Sequence, residues 1–150
     1  MSPPAQSDPK AVINAWVDAV NKHDLGAIAA IFAADYHDVE PAHPTRQITG
    51  GRENVRKNYG MVLEGIPDLR LEALRVAADG DTTWTEVDWS GTRRDGSQEH
   101  LRGVHIFRIR DGQIAWGRIY LESVDEDGID LDERVRRMAE GNSPKAPTPA

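Results

Sequence analysis

The sequence predicts an α+β fold in which three N-terminal helices pack on a curved, mixed or antiparallel sheet to form a cone. Apolar residues recur at helical spacing through most of the first 63 positions, and from Leu69 onward the spacing changes to alternation. Asp-Gly pairs or triplets interrupt the alternating part at three places. Such breaks are typical of antiparallel hairpins. A sheet that wraps around one long helix leaves a cavity at its open end.

The helical part begins at an Asp-Pro capping signal and contains one short strand. The first helix ends near His23, and a second helix over 25–33 is too apolar to face water. A strand over 36–40 follows and stops at Pro41, which cannot donate to a ladder. After a turn-rich loop, a third helix is predicted over 52–63.

Four strands are predicted over 69–78, 82–92, 98–109 and 113–123. An acidic stretch then leads to a short amphipathic helix and a Pro-rich tail. We therefore divide the chain into a flexible N-terminus (1–8), one domain (9–124) and a C-terminal segment (125–150) that ends in a disordered tail.

Composition narrows the classes of function. The chain has 150 residues with 39% hydrophobic content, enough for one domain with a core, and 25 acidic against 18 basic residues give a net charge of −7. This charge disfavours nucleic acid and anionic membranes as partners. The chain has no cysteine, which excludes thiolate catalysis and Cys-ligated metals. Without a signal pattern or a long apolar stretch, we expect a soluble cytoplasmic protein.

Ionisable side chains stand among aromatics on the predicted strands. Asp38 and Glu40 precede Pro41, and His105 lies between two apolar residues. Alternation also places polar and aromatic residues together on one face of two later strands. We expect these two sets to line a pocket: Trp84, Glu86 and Asp88 on one strand, and Trp116, Arg118 and Tyr120 on the other.

Several short segments resemble the SnoaL-like branch of the nuclear transport factor 2 (NTF2-like) superfamily, over roughly Pro9 to Val124. The resemblance implies a cystatin-like α+β barrel and catalysis without a cofactor or metal. It also implies a homodimer formed through an exposed sheet face. The odd-numbered residues of the last strands are compatible with such a face, although they could instead pack on the helices: Phe107, Ile109, Ile119 and Leu121. The matching segments are 15–21 (AWVDAVN), 24–25 (DL), 31–33 (IFA), 51–53 (GRE) and 111–114 (DGQI).

Two branches of this superfamily imply different roles for the residues. By resemblance to ketosteroid isomerases, Glu40 before Pro41 occupies the position of the general base. Trp16 and His105 occupy the positions of the two residues that donate to the substrate oxygen. By resemblance to limonene-type epoxide hydrolases, Tyr36 and Asp38 stand at the residues that hold water. The Asp–Arg–Asp set that activates the water and protonates the epoxide falls at Glu86, Asp88 and Arg118. Asp88 matches, whereas Glu86 replaces the arginine and Arg118 replaces the aspartate that acts as the base.

Polyketide cyclases of the superfamily need less: one base in a dry aromatic cavity and a donor near the developing enolate. We therefore predict a cofactor-independent acid–base enzyme that cyclises or isomerises a small hydrophobic polyketide, terpenoid or steroid-like molecule. Epoxide opening and a non-catalytic binding or dimerisation module remain alternatives. The candidate catalytic residues are Glu40, Asp38, Asp88, His105 and Arg118, and the candidate substrate-binding residues are Trp16, Tyr36, Tyr59, Trp84, Glu86, Trp116 and Tyr120.

Each candidate also has a structural interpretation. The tryptophans could be core packing, the charged strand residues could form an ion-pair network, and His105 could be a hydrogen-bonded core residue. His37 and His43 near Asp38 and Glu40 match no metal-ligand spacing, so we predict no metal site. The sequence also has no phosphate-binding glycine loop and no nucleophile elbow.

Overall fold

The computed structural model describes residues 8–141, which form four helices and one six-stranded sheet. The predicted α+β class is confirmed, as are a strand between the second and third helices and a helix after the sheet, whereas a second short strand before the third helix was not predicted. The elements in order are α1 (Pro9–Asn21), α2 (Leu25–Ile31), β1 (Phe32–Val39), β2 (Gln47–Ile48), α3 (Gly51–Gly65), β3 (Arg70–Asp79), β4 (Thr82–Thr92), β5 (Gln98–Arg110), β6 (Gln113–Ser123) and α4 (Leu131–Ala139).

The sheet is mixed, with strand order β2-β1-β6-β5-β4-β3. The last four strands form an antiparallel meander, as the Asp-Gly breaks predict. Asp111 and Gly112 between β5 and β6 both have positive φ, as a two-residue hairpin turn with the twist of the strands requires. β1 pairs with β6 in parallel and with the short β2, which the sequence did not predict, in antiparallel orientation.

One face of the sheet, the inner face, packs on α1. Ile13, Trp16 and Val20 of α1 are fully buried, and this helix lies against β3 and β4. On β4 the odd-numbered residues Thr83, Thr85, Val87 and Trp89 are buried, whereas Trp84 and Glu86 are exposed. Alternation therefore places the even-numbered residues of β4 on the opposite, outer face.

The odd-numbered residues of β5 also belong to the inner face. Phe107 and Ile109 are only 1% and 6% exposed, in the core of the single chain. Ile119 and Leu121 are partly buried, and Leu121 packs against that core. Phe107, Ile109 and Leu121 therefore pack in the core of their own chain, which was the alternative to a face that pairs with a second subunit.

The two ends of the chain lie outside the described residues. The predicted flexible N-terminus is described only at Asp8, and the predicted disordered tail, 142–150, is not described. The amphipathic helix predicted in the acidic segment is α4. Among the described helices, none has both the length and the apolar composition needed to cross a bilayer.

Candidate active site

β1 directs two polar side chains into the aromatic interior. Tyr36 is 1% exposed, and its ring packs edge-on against Phe32, with 4.7 Å between centroids. Its hydroxyl donates to Oδ2 of Asp38 over 2.7 Å, and the backbone N–H of Ile48 in β2 donates to Oδ1 over 3.0 Å. β2 therefore helps to fix the Asp38 carboxylate. Burial raises the pKa of Asp38, although these two hydrogen bonds oppose the shift.

Gly117 on β6 makes room for this pair. It is the strand neighbour of Asp38, and a Cβ atom at this position would lie 2.7 Å from the Tyr36 hydroxyl oxygen and 3.1 Å from the Phe107 ring. Any side chain here would displace the Tyr36 hydroxyl or the Phe107 ring. The hydrogen bond between Tyr36 and Asp38 thus depends on a glycine in the neighbouring strand.

A second polar pair connects α1 with α3. The indole Nε1 of Trp16 donates to the hydroxyl oxygen of Tyr59 over 3.0 Å. The Tyr59 hydroxyl can still donate its own proton, and it has no acceptor among residues 8–141. Burial, together with the charge of nearby Asp38, raises the pKa of Tyr59, so the hydroxyl keeps its proton. A protonated hydroxyl without an acceptor can donate to a ligand oxygen.

His105 on β5 is a neutral donor. The indole Nε1 of Trp89, which can only donate, lies 3.2 Å from Nε2 of His105. Nε2 is therefore the acceptor, and the ring proton is on Nδ1. Burial lowers the pKa of His105 to about 3, so the ring carries no charge at neutral pH. As a base His105 is weak, but its Nδ1–H can donate.

Two buried polar atoms on neighbouring strands have no partner in the described part of the chain. They are Nδ1 of His105 and Oγ1 of Thr85, and these two residues are directly opposite each other on β5 and β4. The Trp16 and Phe107 rings lie 5.1 and 5.2 Å from the His105 ring. A buried donor without an acceptor costs about 1–3 kcal/mol, so this place favours an oxygen atom from water or a ligand. Sequence reasoning missed Thr85, although a hydroxyl between buried apolar residues on β4 was a visible signal.

Glu40 lies beyond the end of β1, at the rim of a pocket of about 260 Å³. The pocket lies between the turn over 40–43 and the ends of β5 and β6, and Val104, Ile119 and Tyr120 also line it. The Glu40 carboxylate contacts Arg46 at 3.3 Å. Glu40 therefore has an ion-pair partner, whereas Asp38 is held by neutral donors.

The remaining six candidates lie on the outer face, which corrects our expectation that they line a pocket for all of them except Tyr120. The strand registers place them there, away from Trp89 and His105: Trp84 pairs with Ile106 and Ile106 with Arg118, and Glu86 pairs with Val104 and Val104 with Tyr120. Of the six, only Tyr120 also lines the pocket beside Glu40. The physical reason is that inward-facing carboxylates would lose their hydration. The six residues are Trp84, Glu86, Asp88, Trp116, Arg118 and Tyr120.

Two interactions occupy part of this outer set. The Asp88 carboxylate is bound by His100 at 2.9 Å and by Arg102 at 2.8 Å. Desolvation opposes ionisation of Asp88, but hydrogen bonds from Arg102 and His100 lower its pKa. The Arg118 guanidinium lies 5.4 Å from the centre of the Trp116 ring. No cluster of three potential metal ligands occurs between residues 8 and 141.

Solved structures at low sequence identity share this fold. An LEH-like epoxide hydrolase from M. tuberculosis has a TM-score of 0.68 and 17% identity, over 79% of this chain and 86% of that chain. A protein classed as a SnoaL-like polyketide cyclase from Jannaschia sp. CCS1 has a TM-score of 0.66 and 15% identity, over 97% and 99%. A ketosteroid isomerase-like protein from Catenulispora acidiphila, in complex with trimethylamine, has a TM-score of 0.64 and 20% identity, over 79% and 86%.

No curated protein matches the sequence significantly. The model of the SnoaL-like domain family matches residues 13–116, which is more than half of the chain. The match runs from α1 into β6 and includes Asp38, Tyr59 and His105. The chain therefore belongs to the SnoaL-like domain family.

Proposed function

We propose that this protein is a cofactor-independent acid–base enzyme that cyclises or isomerises a small, largely hydrophobic molecule with an enolisable carbonyl group. Polyketide, terpenoid and steroid-like compounds are the expected class. The observation that carries the proposal is the Asp38 carboxylate, which is half-buried, is fixed by the Tyr36 hydroxyl and the Ile48 N–H, and has a pKa raised by burial. A raised pKa makes a carboxylate a stronger base.

In the proposed reaction, Asp38 removes a proton from the carbon next to the carbonyl group of the substrate. The electron pair of that C–H bond forms a C=C bond, and the π pair of the carbonyl group moves to its oxygen, which gives an enolate. Tyr59 or His105 donates a hydrogen bond to this oxygen, since each has an N–H or O–H without an acceptor in the described chain. In an isomerisation, the protonated Asp38 then returns the proton to another carbon of the conjugated enolate. In a cyclisation, the enolate carbon attacks a second carbonyl carbon of the same molecule; the π bond of that carbonyl breaks, and its oxygen takes the proton from Asp38.

Tyr36 and Trp16 act as positioning residues in this proposal. Tyr36 orients the base, and Trp16 leaves the Tyr59 hydroxyl with one free donor direction. Glu40 at the pocket rim is the competing candidate for the base. Its carboxylate forms an ion pair with Arg46, whereas uncharged donors hold the carboxylate of Asp38.

The epoxide-opening alternative needs Tyr36, Asp38, Asp88 and Arg118 to converge on one point. Tyr36 and Asp38 are hydrogen-bonded on the inner face, but Asp88 and Arg118 lie on the outer face. The geometry therefore favours proton transfer over epoxide opening. A binding module without catalysis remains the result to expect if no substrate is turned over.

The test is turnover of enolisable ketones, enones and epoxides by the native protein and by Asp38→Asn, Glu40→Gln and Glu86→Gln. We expect proton exchange or isomerisation of enolisable compounds, measured by deuterium incorporation, to fall at least about 100-fold in Asp38→Asn. Glu86→Gln is the matched control on the outer face and should keep full activity. Loss in Glu40→Gln alone would move the base to Glu40, and unchanged rates in all variants would refute the proposal.

We also propose that the protein is a homodimer that assembles through the outer face of the sheet. Trp84 and Tyr120 remain 40% and 43% exposed there, and large apolar side chains in one patch are typical of an interaction surface. Glu86 and Arg118, which flank this patch, have no ion-pair partner among the described residues. A single-chain mass by light scattering at micromolar concentration would contradict this proposal.

A further inference from the structure

Helix α4 exposes an apolar stripe to solvent. Leu131, Val135 and Met138 are 74%, 46% and 59% exposed. Their spacing of four and three residues places them on one side of the helix. No residue of α4 is buried. Nothing in the described part of the chain covers this stripe.

The other side of α4 is built to hold the helical conformation. Asp130 caps the N-terminus by accepting from the N–H of Glu133 over 2.9 Å. Glu133 pairs with Arg136 and Arg137, and Arg136 also pairs with Glu140. A helix of nine residues is nevertheless marginal in water. A partner that covers the stripe would supply the missing stabilisation.

The outer face of the sheet carries a complementary apolar patch, which we call the outer patch: Trp84, Val104, Ile106 and Tyr120. Trp84 pairs with Ile106, and Val104 pairs with Tyr120, so the patch runs diagonally from β4 across β5 to β6. Glu86 stands at one free corner beside Val104, and Arg118 stands at the other beside Ile106. The outer patch therefore has an acidic flank and a basic flank.

The stripe and the outer patch match in length and in charge. The stripe spans seven residues of helix, or about 10 Å, and the diagonal from Trp84 to Tyr120 crosses two strand spacings and spans about 12 Å. On the helical wheel, Arg134 lies on one side of the stripe and Asp132 on the other. Of the two directions that the helix can take along the diagonal, one brings Arg134 to Glu86 and Asp132 to Arg118.

We propose that α4 of one copy docks on the outer patch of a second copy, with the exchange made in both directions around a two-fold axis. A single chain carries both surfaces and leaves both exposed, and a two-fold arrangement covers all four surfaces at once. Arg134 has no ion-pair partner in the described chain, which fits a partner supplied from outside. This inference rests on the proposed homodimer and names the segment that forms it; it is independent of the catalytic proposal.

Engineered disulfides test the contact, because the native chain has no cysteine. Val135→Cys and Ile106→Cys, at the centres of the stripe and the outer patch, are purified separately, mixed and oxidised. We expect a covalent dimer that contains one of each variant, identified by mass spectrometry. Arg136→Cys, on the polar side of α4, is the matched control and should not cross-link with Ile106→Cys.

The double variant Val135→Cys/Ile106→Cys distinguishes docking between copies from docking within one chain. Covalent dimers support the proposal, and a covalent monomer at low protein concentration would overturn it in favour of a helix that folds back on its own sheet. Absence of any cross-link in the mixed sample would also overturn it.

Sedimentation equilibrium supplies the energetic test. We expect Val135→Gln to raise the dimer dissociation constant at least tenfold, Arg136→Gln to leave it unchanged, and Arg134→Glu to weaken the dimer until Glu86→Arg restores the pair. A dimer that is weakened by Trp84→Gln but not by Val135→Gln would show that the two sheets pair directly. That result would support the homodimer and refute the role of α4. A monomeric native protein would refute both.

Discussion

The hydroxyl of Tyr36 donates to Oδ2 of Asp38 over 2.7 Å, between residues two positions apart on β1. Two residues with this separation share one face of a strand, so the pair enters the interior together. A tyrosine whose own pKa is raised by burial holds its proton and keeps donating to the carboxylate. Tyr59 and His105, each bonded to an indole N–H, are two further polar groups of the interior.

Gly117→Ala should lower activity through Tyr36, without contact with a substrate. The new Cβ would lie 2.7 Å from the Tyr36 hydroxyl oxygen, so the hydroxyl must move and its bond to Asp38 lengthens. We expect kcat to fall about tenfold with a smaller change in KM. Gly65→Ala is the control, because its new Cβ would have no atom within 4 Å apart from its chain neighbours and the backbone of its own helix. Equal kinetics for both variants would contradict the arrangement.

Tyr59→Phe should distinguish the role of the Tyr59 hydroxyl from that of its ring. The substitution removes the proposed donor and leaves the Trp16 Nε1–H without an acceptor, at a cost of about 1–3 kcal/mol in the free energy of unfolding. Urea denaturation measures this loss, and steady-state kinetics should show kcat reduced about 100-fold. Trp16→Phe keeps the Tyr59 hydroxyl and should retain more activity. A Tyr59→Phe variant with full kcat would exclude the hydroxyl from the reaction.

The imidazole of His105 should not titrate between pH 8 and pH 5. Burial lowers its pKa to about 3, whereas the pKa of a histidine in an unfolded chain is about 6.5. The stabilisation from the neutral ring is complete above the unfolded pKa and declines as the pH falls toward the folded one. Nitrogen-15 NMR should show a protonated Nδ1 and an unprotonated Nε2. A midpoint near neutrality would contradict the bond from Trp89.

The contribution of Asp38 to the free energy of unfolding should depend on pH with the opposite sign. Its folded pKa is raised by burial, so the folded state binds a proton more tightly than the unfolded chain, whose aspartates titrate near 3.9 (about this value in peptides). Relative to Asp38→Asn, native stability is highest below that pH and decreases as the pH rises through the raised folded value. Urea titrations of both proteins at several pH values measure this difference. If the stability of the native protein relative to Asp38→Asn increased with pH, the folded pKa of Asp38 would be lowered instead.

The same ionisation should set the acid limb of the rate profile. Asp38 must be unprotonated to accept a proton, so kcat/KM should fall as the pH drops through its raised pKa. The midpoint should lie above that of an exposed aspartate, and Glu40→Gln should leave it in place. A midpoint that moves in Glu40→Gln would identify Glu40 as the titrating base.

The sequence by itself determined the elements and their order within a few residues. The limits of β4 and β6 agree with the prediction, because Asp-Gly turns and alternation are local signals that a single strand carries. The short strand β2 was not predicted, since two residues carry no period and pair only because β1 lies beside them. Tyr36, Asp38 and His105 were singled out from their aromatic or strand-end context, and the fold places all three inside.

Only the tertiary structure decided which face of each strand is inside. Alternation on β4 gives two faces, one with Trp84, Glu86 and Asp88 and one with Thr83, Thr85, Val87 and Trp89. The sequence favoured the first as the pocket wall because of its chemistry, but α1 packs on the second, because burying the uncharged face avoids the desolvation of two carboxylates. The partners of Asp38 and His105, which are a backbone N–H on β2, a tyrosine hydroxyl and an indole, likewise come from contacts that no local pattern encodes.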